Sequence, residues 1–225
     1  MMTGHNGDVR QEEKETARLE AFSDGVFAVA ITILVFGITV PRGLPASQRL
    51  LPALLAQWPA FLAFLTSFAT VGIMWINHHA LFTHIRRSDH TLLVLNGLLL
   101  LGVTFVSFPT ALVAEYIQHR DAKTAAFVYS GTFALIAILF NLLWRYASQD
   151  NRLLRRDVNR RAVEAITKSY SYGPPMYLFS FVLASISAEG SLILNMAMAV
   201  FFALPRARSG GAGQGVNNSG GGGGI

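Results

Sequence analysis

Apolar residues along this chain gather into long runs separated by short polar segments, and six runs have the length of a membrane-spanning helix. A helix needs about 20 predominantly apolar residues to cross a bilayer, with a range of about 17 to 25. The pattern therefore predicts an all-α integral membrane protein with six transmembrane helices. Their approximate bounds are 19–40, 51–82, 91–116, 124–147, 163–187 and 190–204.

Proline and glycine residues refine these bounds. Pro41 ends the first run, and Gly-Pro-Pro at 173–175 interrupts the fifth. Glu-Gly at 189–190 predicts a tight turn between the fifth and sixth helices. The six-helix transmembrane unit then covers about 18–204. It is preceded by an N-terminal segment, 1–17, and followed by a glycine-rich tail, 205–225, which we expect to be disordered because it has too few apolar residues to offset chain entropy.

Composition supports the membrane assignment. The chain has 225 residues, of which 52% are hydrophobic and 14% are charged, whereas soluble domains carry about 25% charged residues. It contains no cysteine, which excludes disulfides, thiolate metal sites and cysteine nucleophiles. The first run follows a mixed-charge segment and ends in Val-Pro-Arg without a small-residue cleavage site, so we interpret it as a retained helix rather than a signal peptide.

The positive charges predict the orientation. With six spans, the N-terminus, the 83–90 and 148–162 loops and the C-terminus share one side, and these regions with the adjoining helix ends hold fourteen of the eighteen Lys and Arg residues. Such an excess marks the cytoplasmic side, so both termini are predicted to be cytoplasmic, in the cell membrane. The net charge of +5 then reflects topology and contact with anionic membrane lipid, not nucleic-acid binding.

The first helix has an apolar face and a polar face. At 100° per residue, five apolar side chains form one narrow stripe along this helix, and the hydroxyl of Thr32 lies beside the stripe. Ser23 and Asp24, near its cytoplasmic end, point away from the stripe. Taken alone, such a stripe is more often ordinary helix packing or lipid contact. Its members are Phe22, Val29, Ile33, Phe36 and Val40.

The second helix carries polar residues near the same membrane level. Asn77, His78 and His79 lie close to its cytoplasmic end, where they could form hydrogen bonds with Ser23 and Asp24. Successive histidines project about 100° apart on a helix, so a metal site is disfavoured, because helical metal pairs are usually spaced three or four apart. A polar latch between the two helices is the preferred interpretation, and a response to pH through the histidines is a hypothesis.

Catalytic patterns are absent from the sequence. We find no glycine-rich phosphate loop, no nucleophile elbow and no paired carboxylates within the spans. The chain is therefore predicted not to be an enzyme and to need no cofactor. Proton-coupled transporters usually carry a mid-membrane carboxylate, and none is found here.

Two motifs together carry a family resemblance. They are Arg18-x-x-x-Phe22-Ser23-Asp24 on the first helix and Trp75-x-Asn77-His78-His79 on the second. In this pairing the chain resembles the prokaryotic branch of the transmembrane protein 175 potassium-channel family. The resemblance implies a potassium-preferring channel without the usual filter loop, and no Thr-Val-Gly-Tyr-Gly segment occurs in the sequence. It also implies a homotetramer, because the chain carries a single six-helix repeat, with the first helices lining the pore.

Carried over residue by residue, the resemblance gives the apolar stripe a role. The family's constricting position falls on Val29 and its following threonine on Thr32, while Ile33 and Phe36 continue the pore lining. Potassium and other monovalent cations would be the permeant partners. The structural polar network would comprise Arg18, Ser23, Asp24, Trp75, Asn77, His78 and His79.

One feature opposes cation permeation. Arg18 projects about 20° from the direction of Val29, where its charge would repel a cation. Pairing with Glu20 or Asp24, or fraying of the helix end, would resolve this conflict.

The sequence is also compatible with two alternative functions. A proton-coupled or proton-leak transporter would use Asp24 and the region of His78 and His79. A non-conducting scaffold would use the apolar stripe only for packing. Potassium flux without a second driving ion separates a channel from both.

Overall fold

The computed structural model describes residues 4–45, 49–155 and 159–203, and these form an all-helical protein. Two 3₁₀ turns, Leu34–Gly37 and Gln149–Asn151, follow the first and sixth helices. The glycine-rich tail predicted for 205–225 lies outside the described residues. The helices are α1 (Gly4–Ile33), α2 (Leu50–Ala56), α3 (Trp58–Phe82), α4 (His90–Phe105), α5 (Ser107–Tyr116), α6 (Ala122–Ser148), α7 (Arg160–Ile186) and α8 (Ala188–Ala203).

Four segments of the described chain are long and apolar enough to cross a membrane, which supports a multi-pass membrane protein but does not confirm the count of six. α7 begins with a charged stretch that contains Arg160, Arg161 and Lys168, and α8 has only 16 residues. Spanning by these two helices therefore stays a prediction. The four segments are Glu13–Gly37, Trp58–Phe82, His90–Tyr116 and Ala122–Asn151.

Several helix bounds differ from the predicted ones, and proline explains most differences. The second apolar run divides at Gln57, where Pro59 starts a new helix, because proline is favoured in a first turn. The third run divides at Val106, because Pro109 has no N–H to donate to a carbonyl four residues earlier. α1 begins at Gly4, so residues 4–17 of the predicted N-terminal segment are helical and continue α1.

The predicted interruption of the fifth helix does not occur. α7 continues through Pro174 and Pro175, although Pro174 leaves the carbonyl of Tyr170 without its helical donor. Asn141 of α6 supplies that donor, with its Nδ2 3.0 Å from the Tyr170 oxygen. The neighbouring helix therefore satisfies the group that proline leaves free.

α6 forms the centre of the bundle, and α1 lies at its edge. α6 packs against α4, α5, α7 and α8, and α1 packs against α3 and α4. Trp144, Tyr129 and Phe133 of α6 are almost completely buried. Because α1 contacts the bundle on one side, its other side is free to meet lipid or another chain.

The polar ends of three elements meet at one end of the bundle. The backbone N–H of Arg86 donates to Leu153 O at 2.8 Å, and that of Arg155 donates to His84 O at 3.0 Å. Thr16 of α1 donates its hydroxyl to Arg86 O at 2.9 Å. The N-terminal part of α1 and the loops after α3 and α6 therefore share one end, as the charge pattern predicts. Which side of the membrane this end faces stays a prediction.

Asp89 stabilises this end by capping α4. Its Oδ1 accepts from Leu92 N at 2.9 Å, and its Oδ2 accepts from the Tyr146 hydroxyl at 2.6 Å and lies 3.6 Å from Arg152 Nη2. Desolvation alone would raise the pKa of Asp89, but the two hydrogen bonds and the guanidinium outweigh it and lower the pKa below the ordinary value of 3.8.

We expect Asp89→Ala to lower the free energy of unfolding by about 0.5–2 kcal/mol, the usual cost of losing an N-cap. Since the pKa is lower in the folded state, this stabilisation is complete above pH 3.8 and is lost as the pH falls through the lower folded value. Thermal unfolding of the detergent-solubilised protein at several pH values measures it. Asp121→Ala is a matched control, because Asp121 caps α6 without a side-chain hydrogen bond; an equal loss in both variants contradicts the prediction.

Candidate functional site: the free face of the first helix

The rotation of α1 is set by a buried row of side chains. Ser23, Phe27, Ala30 and Leu34 recur at intervals of three or four, and all are at most 5% exposed. Residues at these intervals share one helix face. This row faces α3 and α4, so the opposite side of α1 points out of the bundle.

The predicted stripe lies on that outward side. Its members are exposed, for example Val29 at 54% and Phe36 at 79%. Thr32 is also exposed, and its hydroxyl donates to Val29 O at 2.8 Å, which leaves its oxygen lone pairs free. Phe22, Val29, Ile33 and Phe36 form the exposed stripe. Val40 is also exposed, but the helical turn ends at Gly37, so Val40 does not share a helix face with them as the predicted helix to residue 40 required.

The 3₁₀ turn after α1 keeps the stripe aligned. Phe36 lies within Leu34–Gly37, three residues after Ile33. In a 3₁₀ turn, side chains three apart eclipse one another, so we expect Phe36 to project close to the direction of Ile33. The described chain leaves between 42% and 79% of each of these side chains exposed, and in a membrane the exposed parts meet lipid or further copies.

A directional chain of hydrogen bonds joins α3, α4 and α1 behind the stripe. Asn96 Nδ2 donates to Ser23 Oγ at 2.9 Å, and the Ser23 hydroxyl donates to Leu19 O at 2.8 Å. Asn96 Oδ1 is thus the acceptor for His78 Nε2, 2.9 Å away, which places the histidine proton on Nε2. Ser23, His78 and Asn96 are at most 1% exposed.

His78 is otherwise enclosed by aromatic rings. It stacks on Phe82 with ring centroids 4.4 Å apart, and its ring lies 5.3 Å from that of Phe27. Its Nδ1 is buried and has no hydrogen-bond partner among the described residues. Because both neighbours are apolar, the bond to Asn96 is the polar contact that holds this ring.

Two further contacts tie α1 to α3 nearer the surface. Trp75 Nε1 donates to Asp24 Oδ1 at 2.9 Å. His79 Nδ1 lies 2.8 Å from Glu20 Oε1. Glu20 and Asp24 are four residues apart on α1, and Trp75 and His79 are four residues apart on α3. Each pair therefore lies on one helix face, and the two faces contact each other.

The partners of the latch differ from those expected from the sequence. Asp24 contacts Trp75, not Asn77, and Ser23 contacts Asn96 of α4. Asn77 contributes its backbone carbonyl, which accepts from the Tyr170 hydroxyl at 3.1 Å. Asn96 and Glu20 lie outside the set of site residues predicted from the sequence. A signal for Asn96 was present, because this amide in an apolar helix lies about as many residues from the 83–89 loop as His78 does, on the other side of the loop.

Arg18 does not join this network. It is exposed, and it forms no hydrogen bond or ion pair with any residue that the structure describes. Metal-ligand clusters of three or more His, Asp or Glu residues are likewise not found among the described positions.

Comparison with known proteins decides the family. Residues 18–107 match the family described as "Endosomal/lysosomal potassium channel TMEM175". A potassium channel of Chamaesiphon minutus is 51% identical over 86% of this chain and 96% of that protein. The chain belongs to the TMEM175 family. This confirms the predicted resemblance, and the relatives are ion channels rather than enzymes.

Two further comparisons support the same family. A potassium channel of Streptomyces collinus is 39% identical over 84% of this chain and 91% of its own length. The crystal structure of the Chamaesiphon minutus TMEM175 homologue has a TM-score of 0.76 and 49% identity, covering 84% of this chain and 97% of that chain. The channel fold of the family is therefore shared across most of the chain.

Proposed function

We propose that this protein is a homotetrameric, potassium-preferring cation channel of the cell membrane, with six spans, cytoplasmic termini and a pore lined by α1. The observation that carries the proposal is the uncovered apolar face of α1, in a chain whose near relatives are named potassium channels. A single copy leaves much of that face exposed, and four copies around an axis would give it a function.

The apolar stripe would act as the constriction. A ring of apolar side chains opposes wetting and forces a permeating ion to shed part of its hydration shell. Potassium holds its water less tightly than sodium, so such a barrier favours potassium. Lone pairs of the four Thr32 hydroxyls would replace lost water, while Val29, Ile33 and Phe36 set the width.

The polar contacts behind the stripe would fix its direction. A rotation of α1 by one residue would turn the stripe by about 100°. The bonds of Ser23 to Asn96, of Asp24 to Trp75 and of Glu20 to His79 each resist such a rotation. We assign these residues a positioning role and not direct contact with the ion.

Flux through the purified protein in liposomes tests the proposal. We expect a potassium gradient alone to drive potassium flux above that of empty vesicles, with slower sodium flux. Particles of the purified protein should show four-fold symmetry. Vesicles that carry correctly assembled protein and pass no potassium would contradict the channel.

Proton permeation is a second candidate function. The human relative, 35% identical over 58% of this chain but only 27% of its own length, is named an endosomal/lysosomal proton channel. The buried Nδ1 of His78, behind the stripe on the bundle side of α1, has no hydrogen-bond partner among the described residues and would be the proton acceptor of such a pathway. A pH-sensitive dye inside the same vesicles distinguishes the two: acidification without potassium flux favours the proton pathway, and coupling that is lost in Asp24→Asn favours a transporter.

A further inference from the structure

The N-terminal part of α1 continues the rotation of the pore-lining stripe. The helix is unbroken from Gly4 to Ile33. Thr16 is only 5% exposed and bonds to Arg86 O, while Glu13 Oε1 lies 3.5 Å from Arg86 Nε. These contacts fix which side of this segment faces the bundle.

Glu15 and Arg18 lie on the other side. Relative to Val29, Arg18 projects at about −20° and Glu15 at about +40°, at 100° per residue. Both are exposed. They therefore continue the direction of the stripe beyond Phe22, toward the end of the bundle where the loops after α3 and α6 meet.

The other carboxylates near Arg18 are already engaged. Glu20 contacts His79, and Asp24 accepts from Trp75. Both contacts tie these carboxylates to α3. Glu15, three residues before Arg18, lies on the same face, and like Arg18 it has no hydrogen bond or ion pair within the described residues.

We propose that Glu15 is the counter-charge of Arg18 at this mouth of the pore, and that the balance of the two sets how readily cations enter. The inference rests on the proposed channel function. Four Arg18 side chains around an axis would form a cationic collar and lower the local concentration of potassium. Four Glu15 carboxylates beside them offset the charge of Arg18 and so weaken the repulsion of cations. Lys14, also exposed and at about −60°, adds to that repulsion, so the compensation by Glu15 matters more.

Single-channel or vesicle potassium conductance at low and high salt tests this inference. At about 10 mM salt the screening length is about 30 Å, and at 1 M it is about 3 Å. We expect Glu15→Gln to reduce conductance at least about threefold in low salt, because the field of the mouth controls local ion concentration. Arg18→Gln should raise conductance, the double variant should lie near wild type, and all differences should fade at 1 M.

Matched controls and a folding check keep the test decisive. Glu164→Gln on α7 and Arg145→Gln on α6 make the same charge changes on exposed positions away from α1, and neither should alter conductance. Size-exclusion profiles should match wild type for every variant. If wild type conducts but Glu15→Gln is unchanged in low salt, or if Arg18→Gln lowers conductance, this inference fails and the channel stands. A wild-type protein that passes no potassium refutes the channel and this inference together.

Discussion

Val29→Asn should raise potassium conductance about tenfold, the gain from lowering a barrier by about 1.4 kcal/mol. Four amides in place of four isopropyl groups would let water remain in the constriction and would offer oxygen ligands to the ion. The same change should weaken the preference for potassium over sodium, because a wet constriction no longer requires the ion to lose its shell. Potassium and sodium flux in parallel vesicle assays measure both effects.

Val182→Asn is the matched control for this prediction. Val182 lies on α7 and is 58% exposed in the single chain, close to the 54% of Val29. It makes the same chemical change on a face that we expect to meet lipid. If both variants conduct like wild type, α1 does not supply the constriction; if Val182→Asn alone raises conductance, the pore lies along α7.

Much of the fold was predictable because membrane length and charge segregation act along the sequence. The pairing of the loops after α3 and α6, seen in the Arg86 to Leu153 bond, follows the grouping expected from the positive charges. The division at Val106 was not predicted, because Pro109 in an apolar run can either kink or end a helix. Where α7 continues through Pro174, the freed carbonyl of Tyr170 accepts from Asn141, 33 positions before Pro174 in the sequence, and no local pattern shows that contact.

The site was predictable as a face but not as a set of contacts. Helical periodicity gives the direction of Val29 relative to Ser23 without knowledge of any neighbour. Partner identity depends on the depth and rotation of a second helix, and one residue of rotation exchanges Asn77 for His78. That is why Trp75, already in the motif, proves to be the partner of Asp24, and why Asn96, outside both motifs, links Ser23 to His78.

Asn96→Leu should destabilise the protein more than the Asp89 variant. Leucine has a similar size but leaves the buried Nε2–H of His78 without an acceptor, at a cost of about 1–3 kcal/mol. It also removes the donor to Ser23 Oγ, so one of the contacts that orient α1 is lost. We expect a lower Tm in detergent together with lower potassium flux in vesicles. A Tm equal to that of wild type would show that the chain of hydrogen bonds contributes little.

The double variant His78→Phe with Asn96→Leu separates stability from positioning. Replacing both partners of a buried hydrogen bond by apolar groups can be nearly neutral, and His78 already lies among the rings of Phe27, Phe82 and Phe140. The double variant should therefore recover most of the Tm that Asn96→Leu loses. Ser23 still lacks its tie to α4 in this protein, so potassium flux should stay low. Recovery of flux along with Tm would show instead that packing alone orients α1, and that the polar chain only satisfies its own buried groups.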